Sequence, residues 1–388
     1  MSISVNVKKI MDEAVKNGEV AGCNVLVLQN GKQIAYAQSG YRDVENQVSY
    51  SRDTINRLYS MSKPITAVAV MILVDRGLID LKDPVGKYID SFNNMWVATP
   101  LGREKANRPI TIHDLMDMTA GTVYPGAGDE AEKQSAKLFN EAISKLGTDE
   151  EISTMELISR MGTNDLAFQP GSTFRYGTCA DILGALVEKV SGMLFGDFLK
   201  KEIFEPLGMV DTGFYVEEEN RERLAKVYTS DNGCAAEEVT NNLDINYKMD
   251  KRPAFESGGA GLCSTLDDYA KFATMLINDG SYEGVRILSK RAVGFLISGK
   301  LQEWQQGGFN QWQGLEGYSY GNLMRVLYEP EKSCTFGEKG EYGWDGWLGC
   351  YFCNDPVNKI TILMGMQKIN AGTWSMTRKI RNMIFREY

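Results

Sequence analysis

The sequence predicts an α/β (α+β) protein: an antiparallel sheet built from both chain ends, flanked by helices, with a mostly helical domain inserted between them. Three observations carry this expectation. Strand-like runs joined at Asn30-Gly31 open the chain, strand-like runs separated by turn signals close it, and helical stretches dominate from Leu81 to about Asp250. The expected division is a discontinuous sheet-containing domain over residues 1–60 and 250–388 and a mostly helical domain over 61–249, with a functional site between them.

Taken in order, Ser4 to Gly18 places Val7, Ile10, Met11, Ala14 and Val15 on one side of an amphipathic helix. Gly22 to Val27 and Gln33 to Gly40 are apolar or alternating runs, and the Asn-Gly between them marks a hairpin because both turn positions need positive φ. Arg57 to Gly77 reads as the entry and body of a buried helix with Gly77 as its C′ residue. Ile110 to Gly121 is expected as a helix capped at Thr111, Asp149 to Met161 as another, and Ala180 to Lys201 as a third, interrupted near Ser191-Gly192. Sheet character returns in Gly317 to Tyr328, Gly346 to Cys353 and Lys359 to Gln367, with turns at Glu329-Pro330 and Asp355-Pro356. Met376 to Glu387 closes with a helix, and the polar, irregular Asn220 to Asp250 reads as a loop over the site.

Composition narrows the function. At 388 residues, 43% hydrophobic and 24% charged, the chain suits one large or two interleaved domains of an ordinary soluble protein. A net charge of -9 argues against nucleic acid as a partner, which needs a basic footprint. The N-terminal stretch lacks the apolar core of a signal peptide, and the longest apolar run, Ile65 to Val74, is too short to span a bilayer. The expectation is a cytoplasmic protein with no membrane partner. Seven scattered cysteines fit reduced thiols, and Cys350 and Cys353, the only C-x-x-C, lack the further ligands a structural zinc site needs.

The chemistry centres on Ser60 and Lys63, the only serine and lysine three residues apart in that order. On a helix such residues share a face. The apolar run from Ile65 would desolvate the lysine, lower its pKa and make it a usable base for an activated serine. Read alone, the pair also fits a solvated lysine and a capping serine. A Ser-His-Asp triad would have to use His113, the single histidine, whose helical context reads as structural. Any partner base is then a lysine or tyrosine. Tyr176, after the Pro170-Gly171 turn, is the candidate; near two cationic groups its pKa would fall, although alone it also fits a packed aromatic.

The runs RLYSMSKPITAVA, ITIHDLMDMTAG, PGSTFRYGTCADILGALVEKVSG, GGAGLCSTLDDYAKFATMLINDG and EYGWDGWLGCYF cover nearly the whole chain. In this order they resemble the class C β-lactamase superfamily of serine hydrolases and penicillin-binding-protein relatives. Trp344-Asp345-Gly346 is most similar to the W-G-G type of the family VIII carboxylesterases. The resemblance implies a β-lactamase-like fold and a serine hydrolase without metal or organic cofactor. It implies Ser60 as the acylated nucleophile, Lys63 as its base and proton relay, and Tyr176 as the residue exchanging protons with Ser60 and the leaving group. The backbone N–H groups of Ser60 and Trp347 would form the oxyanion hole. Trp344, Asp345, Gly346, Thr178 and Tyr124 would face the substrate.

Two departures from the β-lactamase pattern shape the expected substrate. Thr178 stands where β-lactamases have an asparagine, and Trp344 where they have the lysine of K-T-G. Losing that cation weakens recognition of a β-lactam or peptide carboxylate, and Asp345 repels anions further. The expected activity is hydrolysis of carboxylic esters with small or medium acyl groups. A β-lactamase or D-amino-acid peptidase using the same site is the alternative, and an inactive ligand-binding relative a second. The aromatic segment from Trp304 to Tyr320 either walls the acyl pocket or packs elsewhere. Gly258 to Gly261 lacks the context of a phosphate loop and reads as a structural turn.

Overall fold

Asn30 and Gly31 turn the first hairpin with φ of 51° and 72°, the left-handed values that the Asn-Gly pair predicts. They join β1 (Gly22–Gln29) to β2 (Lys32–Asp43), the long hairpin near one edge of an eight-stranded antiparallel sheet. The other strands are β3 (Val48–Ser49), β4 (Tyr318–Gly321), β5 (Met324–Leu327), β6 (Tyr342–Asp345), β7 (Tyr351–Asp355) and β8 (Ile360–Met366). Their order across the sheet is β4-β5-β6-β7-β8-β1-β2-β3. The two chain ends meet at the β8–β1 pairing, where Cys23 lies opposite Met366 and Gln29 opposite Ile360. The computed structural model describes residues 2–231 and 234–388.

The sheet divides two apolar cores, which is why its central strands are buried throughout rather than alternating. On one face Val25, Val27, Ile362 and Cys353 pack with Val7 and Met11 of α1 (Ile3–Lys16) and with Ile380 and Ile384 of the C-terminal helix Ser375–Phe385. On the other, Leu26, Leu363, Phe352 and Trp344 meet α2 (Lys63–Asp75) and the helices beyond it. Every residue of α2 from Lys63 to Leu73 is buried, as a helix apolar all round requires. The helical layer contains α3 (Ile112–Met116), α4 (Glu130–Lys145), α5 (Thr154–Met161) and α6 (Cys179–Ser191). Among the described residues no helix is long and apolar enough to cross a membrane.

Several local expectations are corrected. The helix expected over Ile110 to Gly121 is only α3: Thr111 and Asp114 close a capping box, and the chain leaves the helix by Met118, at φ 56°. The one expected from Asp149 begins at Thr154, capped by Ser153. Gly317 to Tyr328 is not one strand but a hairpin, turned at Asn322 and Leu323 with φ of 52° and 63°. Gly346 to Cys350 is the turn between β6 and β7, so the strand begins at Tyr351. Asn220 to Asp250 contains a short strand pair, Tyr228–Asp231 with Cys234–Glu237; Asn232 and Gly233 lie outside the described residues. This segment packs Val227, Leu243, Ile245 and Tyr247 around Tyr59 and Trp347. Buried Arg57 clamps it by donating to the Ala225 carbonyl at 2.7 Å and the Tyr247 carbonyl at 3.0 Å.

Candidate active site

Ser60 sits in a single 3-10 turn, Tyr59–Ser62, that feeds directly into α2 rather than in the α-helix itself. Tyr59 immediately before it holds φ at 46°, a left-handed conformation that costs a non-glycine residue roughly 1–3 kcal/mol. Its ring is buried edge-on against Trp347, centroids 5.1 Å apart, and this packing holds the turn. Ser60 is partly exposed, whereas Lys63 is wholly buried. The Lys63 Nζ donates to the Ser60 Oγ at 3.1 Å, the Tyr124 Oη at 3.0 Å and the Gly259 carbonyl at 2.7 Å.

Burial lowers the Lys63 ammonium from 10.5 to about 7, against the opposing fields of Asp181, Cys179 and Asp345. Near neutrality the amine is therefore substantially unprotonated. Its two N–H groups then suffice for Tyr124 and Gly259, and its lone pair faces Ser60. That is the geometry of a general base.

Tyr176 lies in the loop that enters α6. Its hydroxyl accepts the indole N–H of Trp344 at 2.9 Å and lies close enough to Ser60 for the serine hydroxyl to favour the phenolate. Its ring face is 4.6 Å from the Lys63 Nζ. The expected lowering of its pKa is corrected: burial pushes the phenol up, and Ser60 and Trp344 only oppose this. At neutral pH Tyr176 carries its proton.

Trp344, expected to face the substrate, is 1% exposed. It packs among Tyr176 at 5.5 Å, Trp312 at 5.5 Å and Tyr320 at 4.9 Å, and spends its polar atom on Tyr176. Asp345 lies next along the strand and bonds the Thr373 hydroxyl; burial raises its carboxyl while the Arg325 guanidinium opposes. Gly346 has no room for a side chain: a Cβ would meet the Leu58 carbonyl at 2.2 Å. This approach brings the Trp347 backbone beside the Ser60 turn. Thr178 is wholly buried, and its hydroxyl has no hydrogen-bond partner among the described residues. Tyr124 reaches Lys63 directly.

The aromatic segment splits. Trp312 stands edge-on to Tyr176 at 5.0 Å, whereas Trp304 is 67% exposed with its N–H on the Gly171 carbonyl. His113 is half-exposed and 3.5 Å from Asp117, with no contact to the site. Cys350 and Cys353 belong to opposite apolar cores, so they share no ligand.

Sequence reasoning read Gly258–Gly261 as a structural turn and missed its contact with Lys63. A Cβ on Gly258 would meet the Ala180 carbonyl at 2.4 Å, and this close approach sets the Gly259 carbonyl against Lys63. Asp181 and Ser257, which hold that turn, were also missed. The signal was three glycines in four residues, which permit a backbone approach this close.

A partly exposed serine hydrogen-bonded to a buried lysine, in the turn that enters a helix packed against an antiparallel sheet and with a tyrosine beside it, defines a serine hydrolase. The family model described as Beta-lactamase matches residues 7–373, and the chain belongs to that family. It is 26% identical over 382 residues to Esterase EstB of Burkholderia gladioli, covering 94% of this chain and 90% of the relative. It is 32% identical over 310 residues to Lovastatin esterase of Penicillium rubens, covering 76% and 72%. Among solved structures, EstCE1, a hydrolase with promiscuous acyltransferase activity, superposes with a TM-score of 0.83 at 23% identity, covering 99% of this chain and 98% of that one.

Proposed function

We propose that the protein hydrolyses uncharged carboxylic esters of small or medium acyl groups through an acyl-enzyme on Ser60. The observation that carries this reading is the 3.1 Å contact between the Ser60 Oγ and a Lys63 amine lowered to about 7. The ester enters between the sheet-containing part, residues 1–60 and 250–388, and the helical part, residues 61–249.

Lys63 takes the Ser60 proton as the Oγ attacks the carbonyl carbon. The tetrahedral oxyanion is held by the Ser60 and Trp347 amides, each such donor contributing roughly 3 kcal/mol in the transition state. Tyr176, protonated and beside Ser60, passes its proton to the departing alkoxide and regains one from the Lys63 ammonium. An alcohol leaves and acyl-Ser60 remains. Water then attacks the acyl carbon by the reverse proton route, releasing the acid and restoring Ser60.

Charge supports an uncharged substrate. Trp344 replaces the cation that would anchor a carboxylate, and Asp181 and Asp345 both set negative charge against Lys63. The names of EstB and Lovastatin esterase are consistent with ester chemistry in this family. The unpaired thiols of Cys23, Cys179, Cys263, Cys334, Cys350 and Cys353 support a reducing compartment, the cytoplasm.

Fluorophosphonate labelling of the folded protein tests the nucleophile, with modification expected at Ser60. Comparison of kcat/KM on p-nitrophenyl butyrate and nitrocefin tests the substrate. A strong preference for nitrocefin would replace ester hydrolysis by amide hydrolysis.

A further inference from the structure

Asp181 takes no part in the steps above, yet it is 2% exposed in the first turn of α6, five residues beyond Tyr176. A buried carboxylate is costly unless its oxygens are bonded and a cation faces it. At the Gly258–Gly261 turn Oδ1 is bonded twice and Lys63 faces the carboxyl, and both oppose the burial that raises its pKa. Asp181 accepts from the Ser257 hydroxyl at 2.5 Å and the Gly259 N–H at 2.9 Å. Ser257 in turn accepts the Ala260 N–H at 3.0 Å, closing the turn on itself. The carbonyl of the same Gly259 accepts from Lys63 at 2.7 Å, and Lys63 is the cation whose field Asp181 feels.

We infer that Asp181 is the positioning residue for Lys63. Through Ser257 and the Gly259 N–H it fixes the carbonyl that orients the amine, so that the lone pair points at Ser60. The inference rests on the ester-hydrolase reading of Ser60 and Lys63. An amine with one N–H on Tyr124 and no fixed second acceptor turns about its Cε–Nζ bond, and proton transfer loses its alignment.

Asp181 also acts through charge. The titratable groups facing Lys63 are Asp181 and Cys179 on α6, Asp345 on β6, and the Tyr124 and Tyr176 rings. Asp181 and Asp345 are the carboxylates among them. Removing one disfavours the ammonium, so the free amine persists to lower pH.

The test measures kcat and KM for p-nitrophenyl butyrate from acid to alkaline pH in the wild type and in Asp181→Asn, Ser257→Ala and Ser60→Ala. Misplacement of a catalytic group by about 1 Å costs on the order of 10²-fold, and a fall of that size in kcat is expected for folded Asp181→Asn. KM stays unchanged and the acid limb of the profile moves to lower pH. Wild-type kcat, or an unmoved acid limb, overturns the inference. If Asp181→Asn does not fold, Ser257→Ala decides, since it loosens the turn and keeps the charge. Reduced kcat at constant KM then supports the inference, and wild-type kcat overturns it. Turnover surviving in Ser60→Ala overturns the ester-hydrolase reading and this inference together. Its loss there, with Asp181→Asn behaving as wild type, overturns the inference alone.

Discussion

Trp344 donates its indole N–H to the Tyr176 hydroxyl across 2.9 Å, so the residue that stands where β-lactamases have the lysine of K-T-G bonds the tyrosine. That donor offsets part of what burial does to the phenol. Trp344→Phe keeps most of the ring packing and removes the N–H. A hydrogen bond of about 1–1.5 kcal/mol corresponds to roughly tenfold, and a fall of that order in kcat on p-nitrophenyl butyrate is expected, with KM little changed. Wild-type kcat in this variant would show that Tyr176 does not need the donor.

Activity is expected to follow the protonation of Lys63. Its folded pKa of about 7 means that the amine is charged and inactive below neutrality and free above it. A profile of kcat/KM against pH should rise through about 7. It should not fall again until well into the alkaline range, because burial raises Tyr176. A profile that is flat across neutrality would remove Lys63 as the base.

The same shift bears on stability. The unfolded lysine titrates near 10.5 and the folded one near 7, so between these values the unfolded chain binds more protons. Stability from this group therefore rises with pH across that window and is at its lowest below about 7. Lys63→Met removes the cost of burying a charge, offset by acceptors left unpaired at Gly259 and Tyr124. The variant should be inactive but more stable in mildly acidic buffer, by on the order of 2 kcal/mol. Urea unfolding at several pH values checks this: the gain should shrink as pH rises towards 10.5.

Ser60→Ala should lower kcat by on the order of 10⁶-fold, since members of such a site act as a unit. Thermal unfolding should be nearly unchanged, because Ser60 is partly exposed. Residual turnover near that of the wild type would place the nucleophile elsewhere.

Asp345 is explained from behind the sheet. Arg325, 1% exposed on β5, stacks over the Tyr351 ring at 4.7 Å, and its field pulls against the burial that raises the Asp345 carboxyl. Asp345→Gly should therefore destabilise the protein, by less than the roughly 3–5 kcal/mol of breaking a direct buried ion pair, since Arg325 acts on Asp345 only through its field. The double variant Asp345→Gly, Arg325→Met should recover part of that loss. Additive effects in a double-mutant cycle would mean that the two residues do not interact.

Much of the fold was legible where the signal is local. Asn30-Gly31 has the residue types that take left-handed φ, and α6 ends at Gly192 with φ 70° where the sequence broke. The hairpin at Asn322-Leu323 was not legible, because leucine disfavours positive φ. Tertiary contacts override that preference: the Leu323 N–H reaches the Met116 carbonyl at 2.8 Å and the Asn322 N–H reaches Asp117 at 3.0 Å.

The sequence by itself determined the Ser60 and Lys63 pair, their place at the mouth of an apolar helix, and the exclusion of His113 as a triad base by its context. These depend on spacing and periodicity within a few residues. Only the tertiary structure decided which side chains surround this pair and in which direction burial shifts each of them. Lys63 meets the Gly259 carbonyl, and Tyr176 meets Trp344, across separations of 196 and 168 residues. Burial is a property of the whole packed core, and it drives the lysine down to about 7 while driving the tyrosine up. No local pattern in the chain carries that difference.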